Sequence, residues 1–397
     1  MISKNELKIL IVTPLPPIFL GGIEEYVYHV SSDLEKMGCD VRIVTSSVSS
    51  PNELVIREKP YEHAARIEYL DSIFIFRRPL VVDPVGIARL ARLISESDVV
   101  HIFTPFPAVE AITGTLARIY HRPLVTSYIC DAVLTSDSSK DRMGSLMEAG
   151  YDSLSAIPSL HFANCICSSS QSFVSQSRVL VKYADRVTVV HQGIALDELA
   201  TFTSSDVVSL KKELSGNSDR KIISFVGRLV TYKGVTFLIQ AFDLLVREKK
   251  DEDSILVIGG TGPEKSNLEE EVKSKGLTRR VKFLGYVLDK DLPVLLAASD
   301  VFVVPSISTN ESIAISLLQA MSLGVPVIGT SIGGTEEAVP NDGINGLIVQ
   351  PKDPAQLKDA IANMLSLKHS VSQEKRCARS WSDVAADYLE IYKRILN

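Results

Sequence analysis

The apolar residues of this chain come in short runs that do not alternate with polar ones. Lys8–Thr13 reads KILIVT, and runs of the same kind recur at Val41–Thr45, Asp98–Phe103, Pro123–Ser127, His161–Ser168 and Val187–His191. A strand with one wet face alternates, whereas a strand covered on both faces, as in a parallel sheet, reads as a continuous apolar run. Between the runs lie segments of helical period: Gly22–Met37, Gly86–Ser95, Ala108–Tyr120 and Ser169–Tyr183. Alternating strands and helices predict βαβ units and a doubly wound α/β sheet with helices on both faces.

The pattern breaks once, over residues 197–220 (DELATFTSSDVVSLKKELSGNSDR), and restarts at Lys221–Val226. A second series of runs follows at Ser254–Ile258, Val281–Leu284, Val301–Val304, Val325–Gly329 and Gly346–Val349. The 397 residues exceed a single domain at the usual ~100–200 residues each. We therefore expect two Rossmann-like domains, over residues 1–196 and 197–369, with a ligand cleft between them beyond the carboxyl ends of their strands. A tail over residues 370–397, helical at Trp381–Leu396, is expected to pack back on the N-terminal domain.

A net charge of −6 argues against non-specific nucleic-acid binding. No apolar run approaches the ~18 residues of a spanning helix. Five cysteines (Cys39, Cys130, Cys165, Cys167, Cys377) at irregular spacing, with no secretion signal at the N-terminus, predict a reducing, cytoplasmic setting. The Cys165-x-Cys167 pair is read as pointing to opposite faces of a strand and sharing no metal. His101, inside an apolar run, is expected to be a core histidine. Gly86–Ser95, with Arg77, Arg78, Arg89 and Arg92 nearby, admits two readings: an ordinary surface helix, or a basic amphipathic face for peripheral contact with anionic lipid at the inner face of a membrane.

Residues 301–330 (VFVVPSISTNESIAISLLQAMSLGVPVIGT) carry the strongest chemical signal. A strand, a loop with Glu311 and a helix N-terminus build an anion site from backbone amides. A carboxylate at that mouth would repel a phosphate, so Glu311 is assigned to a hydroxyl-rich part of a ligand whose anionic part lies on the amides. That describes a sugar nucleotide. Arg228, a planar fork suited to phosphate, and Lys233 follow the first strand of the second series. Gly21 and Gly22 stand at the first strand-to-helix junction, where glycine lets backbone approach a phosphate. The Gly259-Gly-Thr-Gly262 turn serves equally as plain turn chemistry.

These segments resemble a known family. GRLVTYKG, IGGTGPE, FLGYV and PSISTNESIAISLLQAMSLGVPVIGTSIGGTEEAV are similar to the second domain of the GT-B retaining glycosyltransferases of family 4, the group 1 glycosyltransferases, and GGIEEYV and DVVHIFTPF are similar to the first. The resemblance runs from about Lys8 to about Leu365. It implies transfer of a sugar from a nucleotide diphosphate to an acceptor hydroxyl, with retained configuration, no cofactor and no metal. Glu311 would hold donor-sugar hydroxyls, Arg228 and Lys233 the diphosphate, Gln319 the ribose and the Gly22 amide the distal phosphate. Gly21, Gly262, Val287, Ile313 and Ala314 would complete the donor site.

The departures are specific. Gln319 replaces the family's second Glu, and Ile313-Ala314 replaces its Phe-Gly. Ile129 and Phe103 stand where the family carries histidines, so a bond to a hydroxyl of the donor sugar is either missing or supplied by Asp131. Two other readings therefore stay open: a catalytically silent relative that binds a sugar nucleotide or a partner enzyme, and a sugar-nucleotide epimerase of the same fold. Nucleotide base, sugar and acceptor are not legible, because the loops Pro51–Glu62 and Leu134–Ala149 follow no readable pattern.

Overall fold

The protein is described here by a computed structural model covering residues 6–17, 21–47, 66–75, 78–81, 83–132, 148–199, 202–216, 220–248, 254–367 and 379–397. Arg77, Cys377, the loop 51–62 and most of the loop 134–149 lie outside the described residues. The chain forms two units, Met1–Gly193 with Arg379–Asn397, and Ile194–Ala378.

The first unit contains a seven-stranded parallel sheet. Its strands are β1 (Lys8–Thr13), β2 (Asp40–Ser46), β3 (Arg66–Leu70), β6 (Val99–Thr104), β7 (Leu124–Tyr128), β8 (Cys165–Ser168) and β9 (Val187–Val189). The spatial order is β3-β2-β1-β6-β7-β8-β9. A small antiparallel ribbon, β4 (Ser72–Ile75) with β5 (Arg78–Val81), follows β3. The second unit has six parallel strands: β10 (Ile222–Val226), β11 (Ile255–Gly259), β12 (Val281–Gly285), β13 (Val301–Val304), β14 (Val327–Thr330) and β15 (Gly346–Val349). Their order is β12-β11-β10-β13-β14-β15. Both sheets are doubly wound and Rossmann-like, as the uninterrupted apolar runs predict. Leu10, Ile11 and Val12 of β1 and Ile222 and Ile223 of β10 are fully buried.

The predicted strand His161–Ser168 is corrected: Ile157–Phe162 is helical and the strand starts at Cys165. The helical segment continues the π-helical turn Asp152–Ala156, and such a turn just before Pro158 is where a helix accommodates a missing N–H. The predicted helix Ser169–Tyr183 is split. Gln171–Gln176 is helical, then Ser177 turns extended as its hydroxyl donates to Asp131 at 2.7 Å, and a 3-10 segment follows at Leu180–Arg186. Cys165 and Cys167 do not point apart. Residues two apart on a strand share a face, and their sulfurs lie 3.8 Å from each other.

The C-terminal helix Trp381–Leu396 belongs to the first unit and completes its core. Tyr388 and Tyr392 are buried, and with them a chain of polar contacts. Tyr26 and Tyr388 hydroxyls lie 3.2 Å apart, Tyr388 and Ser127 2.8 Å, Ser127 and His101 Nε2 2.8 Å, and His101 Nδ1 and Tyr392 2.6 Å. Trp381 stacks on His29 at 5.2 Å and 4°. Gly193 is required nearby, because a Cβ there would meet the Ser380 carbonyl at 2.8 Å.

His101 is thus a core histidine whose two nitrogens are both occupied. Burial drives its pKa down to about 3, so it stays neutral at ordinary pH. The unfolded chain takes up that proton near pH 6.5 and the folded one refuses it until about pH 3. This contribution to stability is present above ~6.5 and is lost as pH falls. Urea unfolding between pH 6 and 4 should be steeper for wild type than for His101→Gln, by up to ~1.4 kcal/mol per pH unit. Parallel slopes would overturn the assignment.

Candidate active site

In a doubly wound sheet ligands bind where neighbouring loops diverge, at the strand where the order of strands across the sheet reverses direction. In the second unit that strand is β10, paired with β11 on one side and β13 on the other. The loop after β10 carries Arg228 and Lys233, and the loop after β13 carries Glu311. The structure brings two of these together.

Lys233 Nζ donates to Glu311 Oε1, and Ser306 Oγ donates to Oε2 at 2.8 Å. Both side chains of the ion pair are largely buried, 11% and 13% exposed. A buried pair holds only when the remaining carboxylate lone pairs are also satisfied, and Ser306 supplies that bond. Ser306 is fixed in turn by Thr330, whose hydroxyl donates to the Ser306 carbonyl at 2.6 Å. Arg228 is exposed and its guanidinium has no hydrogen-bond or ion-pair partner among the described residues.

The backbone around this pair is dense. Lys233 ends a 3-10 turn, Thr231–Lys233, closed by Gly234 at φ +67°. A Cβ on Gly234 would lie 2.0 Å from the Pro305 carbonyl oxygen, so glycine lets the two loops touch. Ile307 N–H donates to the Tyr232 carbonyl at 2.8 Å, which stitches the loops together. Gly333, at φ +53°, would press a Cβ to 2.9 Å from the Glu311 and Ser312 carbonyls.

Ala314 caps the helix Ile315–Ser322 without a side-chain bond of its own, leaving first-turn amides at the loop. Ser316 Oγ donates to the Val226 carbonyl at 3.1 Å and pins that helix start to the end of β10. Ile313 is partly buried beside Ala314, and Gln319 lies further along the same helix, also partly buried.

Other residues singled out in the sequence take supporting positions. Gly262 has φ +158°, and a Cβ there would fall 2.3 Å from the Leu229 carbonyl. It packs the β11 loop against the Arg228 loop, and Leu229 N–H donates to Thr261 at 2.8 Å. Val287 packs on Gly259, with only 2.6 Å between its methyl and a Cβ placed there.

In the first unit, Gly22 opens the helix Gly22–Lys36 and a Cβ there would meet open space. A Cβ on Gly21 would fall on the Glu24 carboxylate. Asp131 is 2% exposed and accepts from Tyr128 Oη at 3.1 Å, Ser177 Oγ at 2.7 Å and the Arg178 amide at 3.4 Å. Phe103 is a fully buried core ring beside His101. Sequence reasoning missed Ser306 and Gly333. The Gly333-Gly334 pair after β14 was the available signal.

The family model for glycosyl transferases group 1 matches residues 208–381, and that for glycosyltransferase family 4 matches residues 20–198. The chain belongs to the group 1 glycosyltransferases. An uncharacterized glycosyltransferase of Methanocaldococcus jannaschii is 26% identical, with 98% of each chain covered. A D-inositol 3-phosphate glycosyltransferase of Corynebacterium urealyticum is also 26% identical, covering 94% of this chain and 91% of that one.

Among solved structures, Anabaena HepE in complex with UDP superposes with a TM-score of 0.73 at 18% identity, over 98% of this glycosyltransferase and 100% of that chain. A sucrose-phosphate synthase from Thermosynechococcus elongatus gives 0.72 at 21%, over 98% and 99%. The fold is GT-B.

Gly234 provides a test of the packing. Gly216 has a similar backbone, φ +75°, but open space around it, so Gly216→Ala carries only the ~1–3 kcal/mol of a left-handed non-glycine residue. Gly234→Ala adds the collision with Pro305 and should lower the melting temperature by clearly more. Equal losses would show that the two loops are not locked together.

Proposed function

We propose that this glycosyltransferase moves a sugar from a nucleotide-diphosphate donor to an acceptor hydroxyl, with retained anomeric configuration and no resident metal ion. The observation that carries the reading is the Lys233–Glu311 pair across the β10–β13 opening, with Arg228, exposed and without a side-chain partner among the described residues, on the same loop as Lys233. A lysine at the carboxylate, an arginine on the lysine's loop and a helix N-terminus shortly after the carboxylate suit a ligand that is anionic at one end and rich in hydroxyls at the other.

In this reading Arg228, Lys233 and the amides at Ile315 take the diphosphate and stabilise the negative charge that develops as it leaves. Glu311, oriented by Ser306, accepts from hydroxyls of the donor sugar. Lys233 stands between the two and serves both. Gln319 is assigned to the ribose hydroxyls. Asp131 is assigned to the fold of the first unit, because its oxygens already accept from Tyr128, Ser177 and Arg178. HepE, which shares the fold, has been solved with UDP and with UDP-glucose, which supports a donor of this class.

No helix among the described residues is long and apolar enough to cross a membrane. Peripheral contact with anionic lipid through Pro84–Glu96 would have to open exposed ion pairs, Arg89 with Glu68 at 3.6 Å and Arg92 with Glu96 at 3.9 Å.

Arg228→Ala should weaken nucleotide binding by ~1.5–3 kcal/mol, the range for hydrogen bonds to charged groups, which is about tenfold or more in Kd. Glu311→Gln should keep the nucleotide bound and lower transfer by a large factor. Calorimetric titration and transfer of a labelled sugar decide both. If wild type and Glu311→Gln bind donor and are equally inactive, the protein is a silent relative. Excess chelator should leave the transfer rate nearly unchanged, and a loss restored by manganese would overturn the metal-free charge balance.

A further inference from the structure

The first unit holds a second reactive cluster that the transfer reaction does not use. Strand β8, Cys165–Ser168, reads CICS and lies between β7 and β9. Its two cysteines share a face, with sulfurs 3.8 Å apart. From β9, Thr188 Oγ1 lies 3.5 Å from Cys165 Sγ, and from the C-terminal helix Arg394 Nη2 lies 3.9 Å from the same sulfur. Cys165 is 6% exposed and Cys167 fully buried. The pair is therefore asymmetric, with an outer sulfur facing a guanidinium and a hydroxyl and an inner sulfur facing its neighbour.

A positive group beside a thiol favours the thiolate, which is the nucleophilic form. The Cys167 thiol donates to Cys165 and, with Thr188 and Arg394, draws the Cys165 pKa down to about 6 against the opposing effect of burial. Cys167 is pushed well up, because its proton serves Cys165 and because it is buried. The two sulfurs share one proton between them.

We propose that Cys165 and Cys167 form a peroxide-reactive dithiol in which Cys165 attacks and Cys167 resolves. The Cys165 thiolate attacks one peroxide oxygen, the O–O bond breaks, hydroxide leaves and Cys165 becomes a sulfenic acid. The Cys167 sulfur then attacks Cys165, the S–S bond forms, the S–O bond breaks and water leaves with the Cys167 proton. The thiolate and the thiol together lose two electrons, and hydrogen peroxide becomes one water and one hydroxide, which takes up a proton from solvent.

The sulfur spacing also resembles the ~3.8 Å chord between two thiolates on one tetrahedral ion with ~2.3 Å bonds. A guanidinium at the same sulfur opposes a cation and does not oppose a neutral peroxide, so the peroxide is the better occupant. Two positions along a strand span ~6.6 Å, near the upper limit for a disulfide of ~6.8 Å between Cα atoms. Closure therefore bends β8, removes the thiolate that faces Arg394 and gives a bond that dithiols reopen easily.

The test treats the reduced full-length protein with hydrogen peroxide and maps its cysteines by mass spectrometry. A Cys165–Cys167 disulfide should form first and revert with dithiothreitol. Cys167→Ser should trap a sulfenic acid on Cys165, seen as a dimedone adduct. Arg394→Ala should slow oxidation several-fold, while Arg394→Lys keeps most of the rate. Oxidation of Cys130 ahead of an unreacted Cys165 would overturn the proposal. So would protection of both cysteines from alkylation by added zinc alone, which would mark the pair as a metal chelate.

Discussion

The chemistry of the second unit depends on β10 having one neighbour from the next βα unit and another from two units further on. The connections leave on opposite faces of the sheet and their loops part at the strand ends. Lys233 reaches across that parting to Glu311. Each charge needs the other, since a buried ion that loses its partner is costly. Ser306 and Thr330 extend the support to β14, and Gly234 and Gly333 remove the side chains that would hold the loops apart. Lys233 is therefore fixed in place by its own surroundings.

Much of this was legible in the sequence because parallel strands are covered on both faces. Continuous apolar runs identified the interior strands, and distance from strand ends singled out Lys233 and Glu311, which the structure brings together. The edge strand β3 was not found. RIEYL is short and interrupted by Arg66 and Glu68, with Tyr69 exposed and Leu70 buried, so it gives no continuous apolar run. Ser306 was missed because a serine after a strand reads as loop. Its bond to Glu311 depends on a fold of the loop that only Tyr232, Thr330 and Gly333 define. The error over Cys165 and Cys167 was one of period: two steps along a strand return to the same face.

Two carboxylates read from sequence as site residues met different fates. Asp131 sits on the segment leaving β7, where Ser177 and Arg178 return from the neighbouring βα unit, and it accepts from the Ser177 hydroxyl, the Arg178 amide and the Tyr128 hydroxyl. Glu311 sits between a lysine and a serine at an opening. Residue type and distance from a strand end are the same kind of signal in both cases. What separates them is which distant segments arrive with donors, and that is tertiary information.

The C-terminal helix makes the first unit discontinuous in the chain. Tyr388 and Tyr392 complete a core begun by Tyr26, His101 and Ser127, with Ile194–Ala378 intervening. Domains generally fold as units while a chain is being made. On a ribosome, the second unit can therefore finish folding while the first still lacks its last helix. His101 and Ser127 each wait with one hydrogen bond unfilled until the segment carrying Tyr388 and Tyr392 is made. The first unit to begin closes only after the second has been made, and a stop codon just after Ala378 that spares all of Ile194–Ala378 would still leave the first unit incomplete.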